Sequence, residues 1–212
     1  MDLSATYKEY RKRQVQLHSD ILNQCVNQVD FEKAIELLGV KQNNEIVLEH
    51  EYEKDVILDF AIYENIKKGK NAVMEFIEQN EKISRQEEEL LAAMKASNPS
   101  LYEVEQIIPE NNMIWLKDIF NNTEPFKVID IGLSKSVKEN SLVFTRFLHL
   151  RNFSMTSGLG FYFTANHKQY LIKRSKKLAK RINSGNTSID RFIAFFNLNR
   201  SDGLASVFEH VK

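Results

Sequence analysis

The hydrophobic period changes at Asn98-Pro99, and that change constrains the fold more than any other feature. Before it, apolar residues recur every three or four positions, which places them on one side of an α-helix. After it they alternate, the rhythm of a half-buried strand. A chain carrying both rhythms in separate blocks is predicted to be α+β. The expected parts are a helical N-terminal region (1–97), a small antiparallel β-barrel or curled sheet (98–163), and C-terminal helices (164–212). We expect them to pack as one compact unit.

In the first block, Tyr7, Tyr10, Gln14, Leu17, Ile21 and Leu22 predict a helix over 4–24, with Ser4 as its cap. Phe31, Ile35, Leu37 and Leu38 mark a second helix closed by Gly39. Asn43-Asn44 reads as a turn before a brief strand at Glu45–Leu48. A third helix is expected from Glu51 to Ile66, stopped by Gly69, and a fourth from Asn71 to Asn80. Ser84 followed by Glu87 is a capping-box pattern opening a helix that runs to Ala96.

The second block predicts strands over Leu101–Ile107, Met113–Leu116, Phe126–Ile131, Leu142–Leu150, Phe153–Met155 and Leu159–Phe163. In the first of these, Tyr102, Val104 and Gln106 should face opposite to Leu101, Glu103, Glu105 and Ile107. Ser157-Gly158 is expected to turn the chain between the last two. Closing such a sheet would remove its exposed edges. In the third block, Asn166 and Gln169 form another capping-box pattern, Ser184-Gly185 ends the helix, and a final helix carries the stripe Ile189, Phe192, Ile193 and Phe196.

One cysteine, Cys25, excludes an internal disulfide, so no disulfide partner is needed and a reducing, cytoplasmic compartment is the simpler expectation. No apolar run reaches the length of a membrane span, and the N-terminus lacks a signal-peptide core. Hydrophobic residues at 42% are enough to bury a real core.

Four strand motifs, Tyr102-Glu103-Val104, Leu116-Lys117-Asp118, Val128-Ile129-Asp130 and the strand holding Arg146, lie within Ser100–Gly158. This stretch resembles a region shared by a family of bacterial proteins, cyanobacterial ones included, with no known activity. The upstream Asp59-Phe60-Ala61-Ile62-Tyr63 resembles the helical part of the same proteins. Glu139-Asn140 stands where those proteins would carry a Gly-Asp turn. The resemblance implies the architecture, helices followed by a small β-module, and no chemistry.

Catalytic signatures are thin. His50-Glu51 opens like a zinc-protease helix, but Lys54 occupies the second histidine position. His18, His50, His149, His167 and His210 are scattered, so no metal is expected. No cofactor motif is found: Ser157-Gly158-Leu159-Gly160 matches neither dinucleotide loop nor P-loop. Cys25 reads as a structural thiol rather than a nucleophile. Glu51, Asp55 and Asp59 recur every four residues, and Asp59, set among Val56, Ile57, Leu58, Phe60 and Ile62, is a candidate for a structural ion pair.

The strongest feature is electrostatic. Formal charge is zero overall, yet 164–212 carries ten Lys and Arg against three acids while 1–163 carries 19 against 26. Lys168, Lys173, Arg174, Lys176, Lys177, Lys180 and Arg181 have no acid among them and fall opposite Leu171, Leu178 and Ile182 on a helix. With Tyr170 as a stacking group, they are candidate nucleic-acid-binding residues. The basic part can also meet the acidic one, within the chain or in another copy.

Two classes of function follow. One is a non-enzymatic macromolecule-binding or adaptor protein, with protein partners or self-association expected and nucleic acid as the sub-case to test. The alternative is an enzyme whose site forms between acids of the third helix and Arg146, His149 or Arg151 of the sheet. A homo-oligomeric structural component is a third reading.

Overall fold

A computed structural model describes residues 3–67 and 69–204, which divide into two compact units. One comprises residues 10–96; the other comprises 3–9 and 97–204. Glu209, His210 and Lys212 lie outside the described residues.

The first unit is helical. Helix α1 (Leu3–Cys25) is followed by α2 (Gln28–Leu38), α3 (Glu53–Tyr63), α4 (Ala72–Gln79) and α5 (Arg85–Ala96). The division between units falls within α1, and Ser4 lies inside that helix rather than capping it. Helix α2 starts three residues before the first residue of its apolar pattern, because Asn27 and Asp30 make a reciprocal capping box there. Gly39 ends it in the left-handed conformation. Asn43 and Asn44 both take positive φ, which suits a two-residue hairpin between β1 (Lys41–Gln42) and β2 (Glu45–Ile46). Helix α3 is shorter at both ends than its periodicity suggests and stops at Tyr63, well before Gly69.

The Ser84–Glu87 box forms as read. The Ser84 amide donates to Glu87 Oε2 at 2.7 Å and the Glu87 amide to Ser84 Oγ at 3.3 Å. Arg13 adds an ion pair to the same carboxylate. The Ser84 bonds hold the Glu87 carboxyl below its ordinary 4.5; burial opposes them and Arg13 assists. A depressed carboxyl stabilises the fold above its unfolded value, and that contribution disappears as pH falls through the folded value. Glu87→Gln should therefore cost about 1 kcal/mol at neutral pH. The gap from wild type should close below about pH 4, as read from thermal melts across that range. A gap independent of pH would contradict this account.

The second unit is built on five antiparallel strands in the order β5-β4-β3-β6-β7. They are β3 (Ser100–Ile108), β4 (Met113–Asp118), β5 (Phe126–Ile129), β6 (Leu142–His149) and β7 (Ser154–Phe163). The sheet curls without closing. Its edges β5 and β7 meet but do not pair as strands. A side-chain bond from Thr156 Oγ1 to Asp130 Oδ2 spans the gap at 2.5 Å. The inside of the curl holds Tyr102, Val104, Ile114, Leu116, Val128, Val143 and Phe147, plugged by Leu133 and Val137.

Three sequence expectations change here. Ile107 lies against the same core as Tyr102 and Val104, because a bulge at Glu105 puts two β3 residues opposite one step of β4 and swaps the faces. Asp130 and Ile131 leave β5: Asp130 caps the short helix α6 (Ile131–Ser136), its carboxylate accepting from the Leu133 amide at 3.0 Å. The Ser157-Gly158 turn is absent. Gly158, with φ of 112°, forms an irregularity opposite Arg146, and β7 continues through it as one ten-residue strand.

The outer face of β6 and β7 is aromatic. Phe144, Phe161 and Phe163 meet Phe192, Phe195 and Phe196 of α8 (Thr187–Asp202), with the Phe144 and Phe195 rings stacked 4.2 Å apart. The stripe read from the sequence is this buried face of α8. Helix α7 (Lys168–Ile182) packs along α8.

Candidate functional site

Helix α7 has no glycine, proline or acid, and Lys, Arg, Leu and Ala favour helix. It also carries a cost. Lys173–Lys177, Lys176–Lys180 and Lys177–Arg181 are like-charge neighbours one turn apart, each unfavourable by about 0.2–0.5 kcal/mol. Packing makes up the difference: Leu171 and Ser175 are buried, with Leu178 and Ile182 half-buried beside them. Asn183 closes the helix with φ of 47°. At its start Asn166 makes no capping box. A 3-10 turn over Ala165–His167 precedes the helix, and Asn166 accepts a bond from Thr164 Oγ1 instead.

The seven cations separate into two kinds. Lys168 is engaged, its ammonium 2.6 Å from Glu103 Oε2 on β3. Lys173, Lys176, Lys177, Lys180 and Arg181 are exposed and Arg174 is half-exposed. Among the described residues of this unit, no carboxylate lies within ion-pair distance of these six. At about 100° per residue they cover an arc of about 160° opposite Leu171.

Tyr170 stands at the head of this face, 46% exposed. Its hydroxyl donates to Asp202 Oδ2 at 3.1 Å, and the His167 ring meets it edge-on at 6.1 Å. Partial desolvation, then the Asp202 bond and charge, hold the phenol above its ordinary pKa of 10. Asp202 was not legible as part of the site, since it lies 32 residues away in sequence and on another helix.

The motif residues of the sheet serve the fold. Asp118 is buried and accepts from Ser100 Oγ at 2.8 Å, from the Phe120 and Asn121 amides, and from Asn121 Nδ2. It anchors the turn after β4. Asp130 caps α6 and ties the sheet edges. Burial and then the Asp130 charge push Tyr162 up to about 12. Arg146 is buried with its guanidinium 5.8 Å from the Phe192 ring centre. His149 Nδ1 lies 2.8 Å from Ser154 Oγ, and burial lowers its pKa. Arg151, in the turn that follows, is exposed.

Asp59 is buried on α3, the setting in which a carboxylate calls for a cation, while Asp55 is exposed and Glu51 precedes the helix. The helical acids belong to the first unit, and Arg146, His149 and Arg151 to the second. Cys25 is buried, and burial followed by the Glu75 charge raises its thiol, which keeps it protonated. Among the described residues, no three His, Cys, Asp or Glu side chains are grouped to hold a metal ion. No described helix is long and apolar enough to cross a membrane. A shallow hollow of 560 Å³ lies over Glu105, Gln106, Trp115, Pro125 and Glu139.

A curled antiparallel sheet flanked by helices, one of them carrying six cations and an exposed tyrosine on its outer side, defines a mixed α+β protein with a polar surface as its most distinctive site. The chain belongs to a family of unknown function, DUF7986, whose model matches residues 1–209. No curated protein and no solved structure matches it.

Proposed function

We propose that this is a non-enzymatic macromolecule-binding protein that holds a polyanion, nucleic acid first among them, against the outer face of α7. The observation that carries the reading is the set of six cations with no carboxylate partner among the described residues of their own unit. Their mutual repulsion is a standing cost that an anionic partner would relieve. Phosphates fit this surface because each neutralised phosphate releases condensed counterions, which drives binding without sequence recognition. An anionic lipid surface fits less well, since the opposite side of α7 is packed on α8 and offers no aromatic anchor.

Titrating random-sequence DNA and RNA at several salt concentrations tests the reading. With about five phosphates engaged, log K should fall against log salt with a slope of about −4.5 on duplex DNA. That is a loss of roughly 500-fold between 50 and 200 mM salt. No detectable affinity at low salt would end the nucleic-acid reading. Binding to anionic vesicles but not to nucleic acid would redirect it to a membrane surface.

A further inference from the structure

We infer that α7 prefers an unpaired polynucleotide strand to a duplex, an inference that rests on the nucleic-acid reading of the same face. Tyr170, Arg174, Lys177 and Arg181 follow one another at steps of four, three and four residues. Those steps place them on a single ridge of the helix about 16 Å long. An exposed ring therefore opens a track of cations rather than lying beside it. Lys173 flanks the ridge on one side.

The ring is also held in place. Its hydroxyl is tied to Asp202 and its flank is met by His167, so most of the ordering that stacking demands is already present in the free protein. A base can stack on such a ring only where its own face is free. In a duplex both faces of every internal base are covered by neighbours. A single strand offers them, and base–aromatic stacking tolerates any sequence.

Charge alone pulls the other way. A duplex carries about one negative charge per 1.7 Å and releases more counterions for each phosphate neutralised than a single strand. A face made only of lysines would accordingly favour duplex. Tyr170 is the aromatic ring on this face, and its stacking, assisted by the guanidinium planes of Arg174 and Arg181, reverses the order. Neither stacking on a ring nor neutralising a phosphate depends on the 2′-hydroxyl, so the class of ligand is an unpaired strand of either sugar.

The test compares a short labelled oligothymidylate, an oligouridylate of equal length and a duplex of equal length by fluorescence anisotropy at low salt. Wild type should bind both single strands more tightly than the duplex. Tyr170→Ala should lose about tenfold on both single strands and nothing on the duplex, with an unchanged salt slope. Tyr170→Phe, which keeps the ring and gives up the Asp202 bond, should retain most of the single-strand affinity. Circular dichroism of each variant checks that α7 is intact. A Tyr170→Ala protein that binds every probe like wild type, or that weakens on all of them equally, would overturn the preference and leave the polyanion reading standing. Failure of wild type to bind any probe would remove both.

Discussion

Changing Lys173, Arg174, Lys176 and Lys177 together to Glu is expected to abolish nucleic-acid binding while leaving the fold intact. Removing one hydrogen bond to a charged phosphate costs about 1.5–3 kcal/mol, so removing all four weakens binding by roughly ten-thousandfold or more. Added repulsion from the new carboxylates deepens the loss. Three of these side chains are exposed and Arg174 is half-exposed, and among the described residues of the unit no carboxylate engages them. The melting temperature should hold steady, because positions 176/180 and 177/181 become opposite-charge pairs while 173/177 only exchanges one like-charge pair for another. Lys168→Gln supplies the contrast: its ammonium is committed to Glu103, so binding should change little. Anisotropy at low salt reads both. A quadruple variant binding as tightly as wild type would mean the polyanion reading has the wrong surface.

The positive face was legible because it depends only on spacing within one helix. A run of Lys and Arg at 100° intervals opposite Leu171, Leu178 and Ile182 has one geometric outcome once the segment is helical. The Ser84–Glu87 box and the buried stripe of α8 were legible for the same reason. What escaped depends on partners distant in sequence, or on one residue inserted into a regular pattern. Val128-Ile129-Asp130-Ile131 reads as continuous strand, and only the Leu133 amide bonded to Asp130 shows that the chain turns into α6 there. The bulge at Glu105 leaves no mark in composition, yet it moves Ile107 from one face to the other. Closure of the sheet failed on length: β5 has four residues, and a side-chain bond from Thr156 of β7 to Asp130, just past the end of β5, stands where a ladder would. Asn166 matched a cap pattern but was taken by Thr164, a competition between local bonds that spacing cannot rank.

Lys67 escaped most completely, and its removal should cost the helical unit more than any other single side chain we name. Its ammonium donates to the Cys25 carbonyl at 2.7 Å and to Glu75 at 2.6 Å, and lies 3.0 Å from Asp30. It thus joins the end of α1, the capping box of α2 and the first turn of α4. Burial by itself would lower its pKa, but the Glu75 and Asp30 bonds and charges outweigh that and raise it above 10.5. A raised lysine stabilises the fold fully below its unfolded value, so this contribution is intact through neutral pH. It is lost only as pH climbs past 10.5 towards the folded value. Lys67→Met leaves the two partly buried carboxylates without the cation they share. That should cost about 3 kcal/mol, seen as a lower melting temperature for the unit. Adding Asp30→Asn and Glu75→Gln removes the stranded charges, and most of the loss should return, because an uncompensated charge costs more than a missing pair. If the single variant melts with wild type, the three-way junction contributes nothing. If the triple variant melts no higher than the single one, the loss comes from packing of the lysine stem rather than from the carboxylates it neutralises.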